Sequence, residues 1–396
     1  NEKKGRKMKY NINIREEVFG ATVSIVETGK REYVNKEELE KILEKKNFPE
    51  DTLANKMRES YKIKYIPLNN RSLENQFSFA DIAYLELTRE CNLRCKHCLN
   101  NSGKLMLNQL NLEELKKLVQ DLIDAGIQEI RFTGGEPLMF DGIYDLIKLA
   151  DDNGVCTSIG TNATLVTGKI AIKLKEAGLK KVVVSIDGTK EMHDSIRGIG
   201  SYEKAIKGLY YLKNVGLNVR VNTVIMKSNM EDVIKLAKEM DKNKITLFIR
   251  RFIESGRGKK LKNNMLTAED YDYVREQLQD IIQKDSYVNG HYLRNDEGVH
   301  SRIKLPFTIR GCKAGQRAIA IMPDGDIQLC GFLSAQEFPA IENIRNISNW
   351  REFWNELQKM DGLMFLRDNL DEYNKQPNIQ ETYCLAYIQK YLNDKK

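Results

Sequence analysis

The chain has 396 residues, of which 41% are hydrophobic and 30% charged, so it is typical of a folded globular protein and not of a disordered or fibrous one. Its formal net charge of +7 does not indicate a dedicated nucleic-acid surface. It contains no run of about 20 apolar residues that would cross a bilayer and no signal peptide at its start, so we expect a cytoplasmic protein. Because the first residue is Asn1, we expect the numbered chain to begin either inside the gene product or in residues left by cloning.

Residues 1–66 predict a small domain of its own, a winged-helix-like arrangement of a β-meander followed by helices. Strand-like stretches are interrupted by Gly20 and by Thr28-Gly29. Asn35, with Glu38 three residues later, is typical of a helix N-terminus. Residues 67–82, which begin PLNNRSLENQFSFA, predict a linker.

Residues 83–254 repeat one pattern, in which a helical segment ends in glycine and a short apolar strand follows. The glycines are Gly126, Gly154, Gly178 and Gly216. Glycine supplies the left-handed conformation that commonly ends a helix. With AYLELT at 83–88 and KITLFIR at 244–250, the pattern gives six strands alternating with helices, which predicts parallel β/α units. We therefore expect an α/β fold built on a partial (β/α)6 barrel, open on one side, with its chemistry on the loops that follow the strands.

The remaining chain predicts two further parts. Residues 255–304 predict a helical bridge, in which Thr267 and Asp270 begin a helix that runs to about Lys284. Residues 305–396 predict a small domain in which short strands flank the turn PDGD at 323–326 and ISNWREFWNEL forms a helix.

Seven cysteines in a chain without a secretory signal favour metal or redox chemistry over disulfides. Cys91, Cys95 and Cys98 directly follow the first barrel strand, in the run CNLRCKHC. Three thiolates this close together can hold three irons of a [4Fe-4S] cluster and leave the fourth iron open for a small molecule. A zinc knuckle is the alternative, although the run offers only three ligands with an unusual first spacing.

This C-x3-C-x2-C run resembles the signature of radical S-adenosylmethionine (SAM) enzymes, and TGGEP at 133–137 resembles the glycine motif of that family. The resemblance implies that the amino and carboxylate groups of SAM chelate the open iron. It implies that the reduced cluster cleaves SAM to a 5′-deoxyadenosyl radical, which takes a hydrogen atom from the substrate. Such an oxidoreductase needs an electron donor such as a flavodoxin or a ferredoxin.

The resemblance also assigns roles to residues that follow the later strands. Gly134 and Gly135 let the backbone approach a ligand closely, and Glu136 can receive an ammonium group. Ser185 and Asp187 end the fourth strand, where a hydroxyl and a carboxylate can reach a ribose. Asp187 could equally cap the helix that follows.

Three further positions are expected at the same site. Arg197 resembles the family arginine that pairs with the SAM carboxylate, the alternative being a solvated surface arginine. The residue before the third cysteine is usually aromatic in this family and supports the adenine. Here it is His97, which we expect to stack rather than coordinate. Thr161-Asn162 ends the third strand and is expected to face the same site.

A second group of cysteines resembles the opening of the SPASM/twitch extension, which carries auxiliary iron–sulfur clusters in peptide-modifying radical SAM enzymes. The resemblance rests on the spacing of Cys312, Gly325 and Cys330. The dense cysteine group of a full SPASM domain is absent from the sequence. The reduced twitch form implies one auxiliary cluster held by Cys312, Cys330 and Cys384, with its fourth ligand unassigned. The alternatives are a hairpin with two incidental cysteines and, for Cys384, a buried thiol.

Residues 10–66 resemble, by pattern, the domain that recognises leader peptides of ribosomally synthesised, post-translationally modified peptides (RiPPs). Such domains bind an extended peptide as an added strand at a sheet edge. The alternative is an unrelated N-terminal cap. The run from 241 to 262 carries eight Lys and Arg against two acids. It could steer an acidic leader peptide, or it could be a solvated charged face.

Together these features predict a RiPP maturase that abstracts hydrogen from a residue of a precursor peptide. Beyond the six predicted cluster ligands only Cys156 remains, and a cysteine within a strand is usually a small buried hydrophobe. The scarcity of thiols that could return a hydrogen atom favours an oxidative cross-link, thioether or carbon–carbon, over epimerisation. The alternatives are a radical SAM enzyme acting on a protein side chain or small molecule, of the sulfatase-maturation or haem-pathway type, and a noncatalytic iron–sulfur or peptide-binding scaffold.

Overall fold

The computed structural model describes residues 10–44, 60–68, 76–282, 287–290, 314–331 and 340–360. Its N-terminal elements are β1 (Tyr10–Glu17), β2 (Gly20–Ile25), β3 (Arg31–Asn35), α1 (Lys36–Leu43) and β4 (Ser60–Ile66). The strands form one sheet in the order β3-β2-β1-β4, in which β4 lies parallel to β1. Ile12, Ile14 and Leu39 are part of its apolar core.

The predicted meander and the predicted start of α1 are confirmed. Strands β1 to β3 pair antiparallel, and Asn35 and Glu38 form a capping box in which each side chain accepts the backbone N–H of the other residue. Strand β4 was not predicted, although Lys alternates with apolar residues in its SYKIKYI sequence. In the structure the apolar Ile63 and Tyr65 are exposed. Residues 45–59 lie outside the described residues, so the rest of the winged-helix-like prediction stays a prediction.

Six parallel strands alternate with helices, which confirms the predicted α/β barrel. The strands are β5 (Ile82–Glu86), β6 (Glu129–Thr133), β7 (Cys156–Thr161), β8 (Lys181–Ser185), β9 (Asn218–Ile225) and β10 (Thr246–Arg251). The helices are α2 (Leu112–Ala125), α3 (Ile143–Asp152), α4 (Gly168–Glu176), α5 (Lys190–Arg197), α6 (Ser201–Asn214) and α7 (Met230–Lys242). Gly126 ends α2 with a φ of 101°, the left-handed helix end that the sequence predicts.

Alternate strand residues face opposite sides of the sheet. Phe132, Val221 and Leu247 belong to the apolar core that the helices cover. Their sequence neighbours Arg131 and Phe248 therefore face the interior of the barrel, which we call the lumen.

The large sheet continues on both sides of the six strands. The added strands are β11 (Val288–Gly290), β12 (Ala318–Ile321), β13 (Asp326–Gln328) and β14 (Glu342–Asn343), and the added helices are α8 (Ala268–Gln277), α9 (Gln279–Ile282) and α10 (Trp350–Leu357). Strand β11 pairs parallel with β10, and β12 pairs parallel with β5. The turn predicted at 323–326 connects the antiparallel strands β12 and β13. None of the helices in the described ranges is long and apolar enough to cross a membrane.

The small sheet packs against the end of the barrel at which the barrel strands begin. Arg15 on β1 is 1% exposed, and its Nη1 donates to the carbonyls of Ala80 at 2.8 Å and Gly126 at 3.2 Å. Its Nη2 lies 2.8 Å from Asp81 Oδ1, and Tyr33 donates to Asp81 Oδ2 at 2.8 Å. Because Asp81 directly precedes β5, the small sheet lies opposite the loops that follow the strands.

Residues 76–80, part of the segment predicted as a linker, are buried. The ring of Phe77 packs edge-on against Phe19, with centroids 5.7 Å apart, and Phe79 packs against Trp354 at 5.6 Å. Trp354 Nε1 also donates to the Phe77 carbonyl at 2.8 Å. These aromatic side chains join the small sheet, the barrel and α10. The turn-like composition of residues 67–75 does not indicate such tertiary contacts.

Candidate active site

The three clustered cysteines directly follow β5, at the end of the barrel where its strands finish. Each sulfur has at least one N–H donor near it. The donor–sulfur pairs are Leu93 N with Cys91 Sγ at 3.4 Å, Ser102 N with Cys98 Sγ at 3.4 Å, and Arg197 Nη1 with Cys95 Sγ at 3.9 Å. Hydrogen bonds to cysteine sulfurs adjust the reduction potential of an iron–sulfur cluster, so this environment suits one.

Two of the three thiols, those of Cys91 and Cys95, hold their protons at neutral pH. Burial raises the pKa of Cys91 to about 11 and also raises that of Cys95, although Arg197 acts to lower the latter. Metal binding must therefore displace protons. No three His, Cys, Asp or Glu side chains in the described ranges converge on a single metal ion. A cubane cluster gives each thiolate its own iron, and Cys91, Cys95 and Cys98 supply three neighbouring thiols for such a donor set.

The glycine motif after β6 is packed against the cysteine loop. A Cβ atom on Gly134 would lie 2.5 Å from the Thr88 carbonyl oxygen, and one on Gly135 would lie 2.1 Å from that of Glu90. Gly135 N donates to Thr88 O at 2.6 Å, and Glu136 N donates to Glu90 O at 2.8 Å. Gly134 and Gly135 were expected to let the backbone approach a ligand closely. They also let the backbone approach the loop that carries the cysteines.

Glu136 is a fully buried carboxylate that joins the glycine motif to the end of β7. It accepts from Thr161 Oγ1 at 2.7 Å, from Asn162 N at 2.8 Å and from Leu138 N at 3.2 Å. Burial nevertheless raises its pKa to about 7. A nearby cation stabilises the ionised form of a buried carboxyl group. This fits the predicted contact of Glu136 with an ammonium group. Asn162 Nδ2 also lies 3.9 Å from Cys91 Sγ, so the end of β7 faces this site as expected.

Asp187, after β8, is fully buried and holds two of the predicted site residues. Its Oδ2 lies 2.6 Å from His97 Nε2 and 2.6 Å from Arg197 Nε, while its Oδ1 accepts from Val224 N at 2.8 Å. Burial acts to raise its pKa, but Arg197 and His97 hold the pKa of Asp187 well below its usual value. Asp187 is therefore an ionised anchor for two side chains beside the cysteines.

These contacts decide two of the open alternatives. Thr189 occupies the N-cap position of α5, so the alternative that Asp187 caps this helix is wrong. The side chain of Arg197 is 10% exposed and paired, so it is not a solvated surface arginine. His97 Nδ1 is buried without a hydrogen-bond partner among the described residues, which leaves it available to a ligand. Ser185 is half-buried at the end of β8. The contacts of these residues with SAM stay predictions.

Arg257 is a site residue that the sequence analysis missed. Its Nε donates to the Cys95 carbonyl at 2.7 Å, and its Nη1 donates to the Ser102 carbonyl at 2.7 Å. A Cβ on the preceding Gly256 would lie 2.2 Å from the Leu99 carbonyl oxygen. The SGRG sequence at 255–258 was the available signal, because its glycines allow such close packing.

The second cysteine group is only partly described. Cys312 and Cys384 lie outside the described residues. Cys330 is half-buried shortly after β13 and packs beside the main apolar core. The auxiliary cluster therefore stays a prediction.

Comparison with known proteins identifies this arrangement. The family model described as the radical SAM superfamily matches residues 85–240. AdoMet-dependent heme synthase of Oleidesulfovibrio alaskensis is 31% identical over 283 residues, which cover 66% of this chain and 72% of that protein. Mycofactocin maturase MftC of Mycolicibacterium smegmatis is 30% identical over 277 residues, which cover 68% of each chain.

The fold is shared with a solved structure at low sequence identity. The crystal structure of Streptococcus suis SuiB bound to precursor peptide SuiA is 19% identical and has a TM-score of 0.67, over 95% of this chain and 93% of that chain. The chain therefore belongs to the radical SAM superfamily, whose enzymes use a [4Fe-4S] cluster and S-adenosylmethionine.

Proposed function

We propose that the protein is a radical SAM peptide maturase that forms a cross-link, thioether or carbon–carbon, within a ribosomally made precursor peptide. When bound, the cluster and SAM supply a 5′-deoxyadenosyl radical that removes a hydrogen atom from the peptide. Among this chain's own residues, Cys91, Cys95 and Cys98 would hold the cluster, and Glu136 and Arg197 would hold the amino and carboxylate groups of SAM. His97, Ser185 and the glycine motif would line the nucleoside.

The observation that carries the peptide assignment is the small N-terminal sheet. It is fixed to the barrel by Arg15 and has β4 as one edge strand within the described residues. Ile63 and Tyr65 on β4 are 47% and 43% exposed, which gives an added strand an apolar surface to cover. The 30% identity to mycofactocin maturase MftC, and a shared fold with SuiB in its complex with precursor peptide SuiA, support this assignment.

The position of this sheet limits the peptide. A leader bound on β4 would start at the end of the barrel where the strands begin, whereas the cysteines lie at the other end. The barrel strands have five to eight residues, which span about 17–27 Å. Since an extended chain covers about 3.3 Å per residue, we expect a spacer of at least roughly five to eight residues between the leader and the modified residue.

The location of Cys156 supports a cross-link over epimerisation. It is 1% exposed at the start of β7, and burial raises its pKa to about 11. It is the first of the six residues of β7, and five strand residues follow it before the end that faces the site, so it is badly placed to return a hydrogen atom to a substrate radical. A cross-link removes two hydrogens from the peptide, one to 5′-deoxyadenosine and one as a proton and an electron. We propose the auxiliary cluster of Cys312, Cys330 and Cys384 as the acceptor of that electron.

The test of peptide binding uses the full chain and the leader of a short peptide encoded beside its gene. Ile63→Asp should weaken leader binding at least tenfold in calorimetric titration, because it places a charge on the proposed docking strand. Ile172→Asp is a matched control, since Ile172 is 48% exposed but lies on α4 of the barrel. Equal loss of binding in both variants, or in neither, would count against docking on β4.

The test of the reaction is the mass of a peptide coexpressed with the enzyme. A loss of two hydrogens supports the cross-link. An unchanged mass with deuterium incorporated from solvent would show an epimerase instead. Intact SAM after reduction would show a noncatalytic scaffold.

A second candidate is a haem-pathway enzyme acting on a small carboxylated molecule. The 31% identity to AdoMet-dependent heme synthase favours it, as does Arg220 in the lumen, whose buried Nε has no hydrogen-bond partner among the described residues. It predicts that no leader peptide binds residues 10–66.

A further inference from the structure

Three arginines from three different barrel strands face the lumen together with two aromatic rings. The guanidinium groups of Arg220 and Arg250 lie over the ring of Phe248, at 5.6 and 5.2 Å from its centroid. That of Arg131 lies over the ring of Tyr84 at 5.3 Å. Tyr84 is on β5, whereas Phe248 and Arg250 are on β10, so the set includes residues from both outer strands of the six-stranded barrel sheet.

Only one of the three arginines is neutralised by the residues described. Arg131 Nη2 donates to Glu129 Oε1 at 3.0 Å, and its Nε donates to Ser158 Oγ at 3.0 Å. In the described ranges no carboxylate forms an ion pair with Arg220 or Arg250. The Nε of Arg220 is buried without a hydrogen-bond partner there. A buried cationic N–H without a hydrogen bond costs free energy. A hydrogen-bond acceptor bound in the lumen would therefore stabilise Arg220.

The electrostatics of the lumen agree with this geometry. Burial, followed by the positive charges of Arg131 and Arg250, lowers the pKa of Arg220 to about 9. Arg220 is therefore still a cation at neutral pH, in repulsive surroundings. A negative group placed between the arginines would remove this repulsion, whereas a neutral one would not.

We infer that Arg220 and Arg250 bind a carboxylate group of the substrate in the lumen. Arg250 pairs in register with Val224, whose N–H donates to Asp187, so the carboxylate would lie next to the SAM-binding end of the barrel. The inference rests on the proposed radical SAM chemistry and narrows its substrate to one with an acidic group near the reacting carbon. In a precursor peptide this is an Asp, a Glu or the chain terminus, and in a small molecule it is a propionate or similar acid.

Arg220 is the informative position for a test. Arg250 also interacts electrostatically with Cys330, a predicted cluster ligand, so its loss could act on that cluster. No thiol is among the groups that shift Arg220. Because Arg220→Gln removes an unpaired buried cation, the variant should melt at the wild-type temperature or above. Arg250→Gln serves as a second variant of the same lumen.

The experiment measures dissociation constants of the reconstituted full chain for two pairs of fluorescent probes. One pair is coproporphyrin III and its tetramethyl ester. The other is a pool of labelled decapeptides with one Glu each and the same pool with Gln. We expect wild type to prefer one acidic probe over its neutral partner by roughly tenfold or more, and Arg220→Gln to abolish that preference. Arg275→Gln is the control, since Arg275 lies on α8 with its side chain 43% exposed.

The outcomes separate this inference from the proposed function. A preference for coproporphyrin alone, lost in Arg220→Gln, supports the carboxylate site and contradicts the peptide assignment. A preference for the Glu pool, lost in the same variant, supports both. Wild type that shows no preference for either acidic probe, or an Arg220→Gln variant that keeps the preference, overturns the carboxylate site and leaves the peptide assignment untouched.

Discussion

Arg197 Nε lies 2.6 Å from the Asp187 carboxylate, and this contact links the loop after β8 to the end of α5. Through Nη1, 3.9 Å from Cys95 Sγ, the same guanidinium reaches the cysteine loop. Asp187 thus holds in place a cation that faces both the cluster ligands and the proposed position of the SAM carboxylate.

Asp187→Asn should therefore destabilise the protein. The substitution keeps the size of the side chain but leaves Arg197 as a buried cation without its partner, which costs about 3 kcal/mol or more. Denaturant unfolding of the cluster-free chain measures this loss. Asp145→Asn is the control, since the Asp145 side chain is 61% exposed and its loss should change stability little. Equal stability of wild type and Asp187→Asn would contradict the anchoring role.

His193 should make stability fall in mild acid. It is fully buried, and its Nδ1 accepts from the Asp187 N–H at 3.2 Å. Burial first, and then Arg197, lower its pKa to about 4. His193 binds its proton near pH 6.5 in the unfolded chain but only near pH 4 in the folded chain. The free energy of unfolding should thus fall by about 3 kcal/mol as pH falls through this window.

The variant His193→Asn keeps an acceptor near the Nδ1 position but cannot titrate. Its free energy of unfolding should lose the part of the pH dependence that belongs to residue 193. Chemical denaturation of both proteins at several pH values between 4 and 7 measures the difference. If the free energy of unfolding depends on pH equally in the two proteins, the pKa of His193 is not lowered by folding.

Gly135→Ala should prevent assembly of the cluster. The new methyl group would lie 2.1 Å from the Glu90 carbonyl oxygen, so the cysteine loop must move. Iron and sulfide content after reconstitution should fall, together with about 1–3 kcal/mol of stability. Gly160→Ala is the control, because its Cβ would lie 3.7 Å from Thr133, an ordinary contact. A Gly135→Ala variant with full iron content would show that the packing of the two loops is not required.

SAM binding should release protons near neutral pH if its ammonium group contacts Glu136. With a pKa of about 7, Glu136 carries roughly half a proton at pH 7, and a bound cation lowers that pKa. Calorimetric titration of the reconstituted enzyme in buffers of different ionisation enthalpy should show this release at pH 6.5, and less of it at pH 8.5. A binding enthalpy independent of the buffer would place the ammonium elsewhere.

The elements that the sequence predicts well are those whose signals are local. Strand and helix alternation, the helix end at Gly126 and the capping boxes at Asn35 and Thr267 each depend on residues within a few positions of one another. The cysteine run and the glycine motif are also local, so their place after β5 and β6 follows from the alternation.

The relationships that the sequence does not reveal join residues far apart in the chain. His97 and Asp187 are 90 positions apart, and Arg257 is 162 positions from Cys95. Such pairs form only when the barrel curves. The glycines of SGRG at 255–258 indicate close packing around Arg257, but a single sequence does not show which residues become partners. The burial of Phe77 and Phe79 has the same origin, because three separate parts of the chain cover these rings.

The central claim is that Cys91, Cys95 and Cys98 hold a cluster that cleaves SAM. Its most direct test is 5′-deoxyadenosine production by anaerobically reconstituted, dithionite-reduced protein, with wild type compared to the variant in which all three cysteines are alanine. We expect wild type to produce 5′-deoxyadenosine. The variant should produce none and should contain about four fewer irons per chain than wild type. A triple variant that still cleaves SAM, or a wild type that leaves it intact, would contradict the account.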